Sequence, residues 1–207
     1  MENLNLILFI SFAVPLLMAL LVVKGSSRTT LLFLLLGMVV CLFCSEFNAV
    51  LLNLLRINRR FFTVNYTPVI EETGKAIPVL LFAFLYHPKK QTLLECSLLT
   101  GVGFSILENA FILASSADQA SIPFALIRGF SCGTMHGLCT MAVGFGISFV
   151  YTKRKLFYTG TTALLCAAVI FHSIYNNLVQ SEHALTGFLL PSAVLLLTLL
   201  LQRIKKV

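Results

Sequence analysis

The sequence predicts an all-α fold, a polytopic membrane bundle of about seven spanning helices. Three observations predict it. The chain is 58% hydrophobic and only 11% charged, where soluble domains carry roughly 25% charged residues. Its mean hydropathy is +0.94. Its basic residues fall in short clusters between apolar runs, so the net charge of +7 reflects membrane topology rather than a nucleic-acid surface.

The apolar runs justify the elements in order. A spanning helix needs about 20 apolar residues, and such runs cover 4–23, 30–55, 66–86, 92–114, 122–151, 157–180 and 184–202. The first run lacks a basic leader and a small-residue cleavage site, so it reads as a retained helix rather than a signal peptide. Connections are short, with no low-complexity tract or internal repeat, so residues 1–207 read as a single membrane domain. Alternate connections hold Lys24 and Arg28, Lys89 and Lys90, Lys153 to Lys155, and Arg203 with Lys205 and Lys206. Positive-inside bias then puts the amino terminus outside and the carboxyl terminus in the cytoplasm. The cluster Arg56, Arg59 and Arg60 is discordant with this orientation.

All six cysteines (Cys41, Cys44, Cys96, Cys132, Cys139 and Cys166) lie within apolar runs. The C-x-x-C at Cys41 and Cys44 has no second pair to complete a zinc site, so packing is the expected role.

Polar residues at membrane depth are the functional candidates, because a charge at the bilayer centre costs at least about 2.5–3.5 kcal/mol. The third run opens with Glu71, Glu72 and Lys75. Spacing of four puts Glu71 and Lys75 on one face as the expected pair, leaving Glu72 as the carboxylate free to act. A solvated helix end is the plain alternative. The fourth run carries Glu108 and Asn109 beside Gly101 and Gly103, and the partner of Glu108 has to come from another helix or a metal. In the fifth run, Arg128, Cys132 and His136 recur every four residues, next to a stripe of Gly129, Gly133 and Gly137. That stripe marks a central helix, and an open groove along it would suit an extended substrate. The sixth run carries His172 and Asn176 on one face. A lone histidine on a helix is more often a hydrogen-bonded interior residue than a ligand. With the amino terminus outside, however, these residues converge at similar depth in one outward-opening cavity. Histidine with carboxylate is a zinc-type donor set, and a remaining glutamate could act as general base on water.

E-E-x-x-K at Glu71–Lys75, G-x-x-F-x-x-x-E-N ending at Asn109, the stretch Arg128–His136 and H-x-x-x-N at His172–Asn176 together resemble the PrsW family of intramembrane proteases. The resemblance covers residues 66–180. It implies kinship with the prenyl-protein CAAX endopeptidases and with a scaffold subunit of gamma-secretase. It further implies that Glu71 or Glu72 activates water, that Glu108 and His172 bind a metal or polarise the substrate, and that Asn176 stabilises the oxyanion. His136 would complete a metal site, with zinc as the expected ion, while Lys75, Asn109 and Arg128 support the site. The implied partner is a single-pass membrane protein of the anti-sigma-factor type, cut near the outer boundary of a bacterial plasma membrane. Glu108 stands where CAAX enzymes have histidine, which leaves open a mechanism that relies on glutamate alone. A CAAX-type endopeptidase and a non-catalytic membrane scaffold are the competing readings.

Overall fold

The computed structural model describes residue 14 and residues 27–116 and 121–204. The expected first span, 4–23, lies outside the described residues apart from residue 14. The described chain is helical: α1 (Ser27–Leu55), α2 (Arg59–Asn65), α3 (Thr67–Tyr86), α4 (Lys90–Ser115), α5 (Ile122–Ile147), α6 (Arg154–Val179) and α7 (Ala184–Ile204). Among the described residues four helices are long and apolar enough to cross a membrane, namely α1, α4, α5 and α6. The expected runs at 66–86 and 184–202 do form helices. α3 holds three charges in 20 residues, and α7 is apolar over Ala184–Leu200.

Local chemistry sets the boundaries. Arg56 ends α1 in the left-handed region, with φ of 52°. The segment expected to be a loop then forms α2, because the Asn58 side chain caps it and accepts from the backbone N–H of Arg60 (2.8 Å) and Phe61 (3.2 Å). Pro68 sits in the first turn of α3, where its missing N–H leaves no gap in the ladder. Ser121 caps α5 through the N–H of Phe124. That helix stops at Ile147 rather than running to 151, because i+3 bonds such as Val150 N–H to the Ile147 carbonyl tighten the chain into a turn.

α4 and α5 form the centre. Their most apolar stretches are 67% and 72% buried, against 11% for α6. α1 packs on α4, α6 and α7 pack on α5, and α3 lies across α1, α4, α5 and α6. Two glycines make the close approaches possible. A Cβ on Gly103 would collide with the Leu34 backbone of α1, and one on Gly101 with the His136 backbone of α5. Along the glycine stripe of α5, expected to offer a groove, Gly137 is packing surface. Gly129, Gly133 and Gly137 are all buried, and Leu98 closes over Gly137.

Candidate active site

α3 buries Pro68, Glu71, Glu72, Lys75, Val79 and Ala83, a stripe at helical spacing that faces the bundle. Its charges therefore point inward and do not form a solvated helix end. Lys75 Nζ lies 2.8 Å from Glu72 Oε1 and 2.7 Å from His136 Nδ1. This corrects the expected pairing. Lys75 binds Glu72 at i−3 and not Glu71 at i−4, because the shared imidazole on α5 draws the ammonium to that side.

Hydrogen-bonding capacity assigns the imidazole protons. Glu72 Oε1 already accepts from the ammonium, so its 2.8 Å contact with His172 requires His172 to donate from Nδ1. The Nε2 lone pair of His172 then faces Glu71 Oε2 at 3.9 Å. His136 accepts from Lys75 at Nδ1 and donates from Nε2 to Glu108 Oε2 at 3.0 Å. The two rings meet edge to face, their centroids 4.9 Å apart. Each histidine is thus oriented by its own carboxylate, the arrangement that tunes imidazole ligands.

The partner of Glu108 comes from another helix, as expected. His136 and Cys132 both reach its Oε2 at 3.0 Å, and Arg128 Nη2 lies 4.0 Å from Oε1. Cys132, expected only to pack, is thus a polar contact of Glu108. Its signal was already in the sequence, since it shares the four-residue stripe of Arg128 and His136. The Glu108 side chain is 24% exposed while those of Glu72, Lys75 and His136 are fully enclosed, so the cluster is more open on the Glu108 side.

Two groups of donor atoms lie within 4.8 Å of one another: Glu71 with His136 and His172, and Glu108 with Cys132 and His136. The expected set of Glu108, His136 and His172 is neither of these: Glu108 groups with Cys132 and His136, and His172 with Glu71 and His136. Asn176 is directed elsewhere. Its Nδ2 donates to the Thr63 carbonyl of α2 at 3.0 Å. Asn109 is fully buried, and neither atom of its amide has a partner among the described residues.

Residues 25–201 match the family described as PrsW family intramembrane metalloprotease. The chain belongs to the PrsW family. Neither a curated protein nor a solved structure matches it. The PrsW match spans all four motif-bearing helices, and membership makes the chain a PrsW-like membrane-embedded protease. A PrsW metalloprotease needs a metal site, and the residues present fit one. Glu71 Oε2 is buried with no hydrogen-bond partner, and it faces an imidazole lone pair.

Asn176→Ala is expected to loosen α2. One hydrogen bond is worth about 1 kcal/mol, so limited proteolysis within 56–66 should speed up about fivefold.

Proposed function

We propose that this protein is an intramembrane endopeptidase that cuts a single-pass membrane protein near the outer boundary of a bacterial plasma membrane. The chain would fold as one domain of about seven spans, with its amino terminus outside. The observation that carries the mechanism is the unpartnered, buried Glu71 carboxylate facing the Nε2 of His172.

Glu71, His136 and His172 would hold the metal. When bound, it supplies Lewis acidity and makes water acidic enough to act as a nucleophile near neutral pH. The chain's own residues do the rest. Glu72 holds the proton of His172 at Nδ1 and so keeps Nε2 unprotonated. His136 donates to Glu108 from Nε2 and accepts from Lys75 at Nδ1, so it would join the metal by giving up one of these two contacts. Glu71 would give the metal one carboxylate oxygen, which leaves the other to accept the proton of the attacking water. The water oxygen bonds to the scissile carbonyl carbon, the C–N bond breaks, and the proton held by Glu71 passes to the leaving amine. Lys75 is enclosed between Glu72 and His136 and keeps this region close to neutral. Arg128 positions Glu108 at the more open side. The extended substrate of the anti-sigma-factor type would enter there.

Metal content of the detergent-purified chain tests this reading together with cleavage. Near-stoichiometric zinc is expected, and Glu71→Ala and His172→Ala should each lower affinity at least tenfold. Absence of metal in protein never exposed to chelator would overturn the metal assignment. Absence of any cleavage activity would overturn the protease assignment in favour of a scaffold.

A further inference from the structure

We infer that α2 and the cavity beside it form a recognition site for an acidic, extended peptide segment flanking the substrate's membrane span. The inference rests on the proteolytic reading above. Arg56, Arg59 and Arg60 are all exposed, and among the described residues none forms a salt bridge. They form the basic cluster that opposes the charge bias of the other connections, a cost to topology that an exterior binding role would explain. Arg56 also holds a left-handed backbone, φ 52°, at a helix end where glycine is most at ease.

The second observation is a cavity of about 280 Å³ lined by Asn58, Arg60, Phe61, Val64, Asn65 and Asn177. A guanidinium, three carboxamides and an apolar wall suit a peptide. Asn58 Oδ1 caps α2 and Asn65 Nδ2 bonds the Phe61 carbonyl, so Asn58 Nδ2 can donate to a peptide backbone and Asn65 Oδ1 can accept from it, while the guanidinium takes a carboxylate and Phe61 and Val64 take the intervening side chain. A phosphate headgroup would use only donors.

The third observation is position. Thr63 accepts from Asn176 through its carbonyl and bonds Gln180 through Oγ1 at 3.1 Å, which docks α2 on the end of α6 that carries His172. α3 begins at Thr67, so the chain passes from the cavity to Glu71 in little more than one helical turn. A peptide seated beside α2 would therefore leave its adjoining span close to the catalytic carboxylate.

The test uses the full-length chain in phosphatidylcholine nanodiscs. The probe is a synthetic leucine–alanine span preceded by four alternating Asp and Glu residues, with serine and lysine versions, and binding is read by energy transfer. The acidic peptide is expected to bind at least tenfold tighter than the serine version. Arg56→Glu with Arg60→Glu should reverse the preference towards the lysine version, while Lys153→Glu in a different basic cluster should not. Equal binding of all three peptides, or a preference unchanged by the double variant, would overturn the inference. So would loss of the preference when phosphatidylglycerol replaces part of the lipid at constant ionic strength, which would identify a lipid-headgroup site instead. Binding needs no turnover, so an acidic preference without cleavage would sink the protease reading alone.

Discussion

Glu71→Gln is expected to leave a folded but inactive protein, whereas Glu72→Gln should lose both stability and hydrolysis. The two carboxylates are neighbours in sequence, yet their surroundings differ. Glu72 Oε1 holds the Lys75 ammonium and the His172 ring, each at 2.8 Å. Its neutral amide counterpart would leave a buried ammonium without a counter-charge, and breaking a buried pair costs about 3–5 kcal/mol. Glu71 balances no such partner, and its Oε2 makes no hydrogen bond. Loss of a general base lowers the rate by about 10²–10⁴-fold, and loss of a metal donor would add to that. Adding Lys75→Met to Glu72→Gln should restore most of the stability and none of the activity. Thermal unfolding in detergent, measured beside substrate cleavage, reads both outcomes. Equal destabilisation by Glu71→Gln and Glu72→Gln would contradict the division of roles.

The second large effect is expected from Gly101→Val. The new side chain would drive into the His136 backbone, and neither partner there is a flexible side-chain end. Overpacking a core costs about 1–3 kcal/mol, and a clash with rigid backbone belongs at or above the upper figure. The damage would also be functional, because His136 binds Lys75 and Glu108 on either side of its ring. Gly101→Val is therefore expected to yield little monodisperse protein, and what survives should hold no stoichiometric metal. Gly160→Ala is the control. A Cβ there meets only the Leu156 side chain, at 3.5 Å and beyond, so folding should be unchanged. Wild-type behaviour of Gly101→Val would mean that α4 and α5 do not meet as closely as described.

Much of the site was legible because membrane depth makes polar residues conspicuous. Glu71, Glu72, Glu108, His136 and His172 stood out against apolar runs, and the structure gathers all five. The i, i+4 stripe of Arg128, Cys132 and His136 also survives, with Cys132 as an unexpected contact of Glu108. Helix α2 was not legible as an element, since seven residues are too few to show a period. Its cap at Asn58 was the available signal.

Hydropathy and the spacing of charges were enough to specify a helical membrane protein, its family motifs and the polar residues that its helices bring together, because burial in a bilayer makes an unpaired charge costly. They could not decide which glutamate Lys75 would choose, since i−3 and i−4 both lie within reach on one helix face. Nor could they tell that Asn176 would brace α2 or that Leu98 of α4 would cover Gly137 of α5. Those outcomes depend on side chains from other helices, above all His136 and His172, whose two ring nitrogens each face a different partner. Only packing brings those partners together.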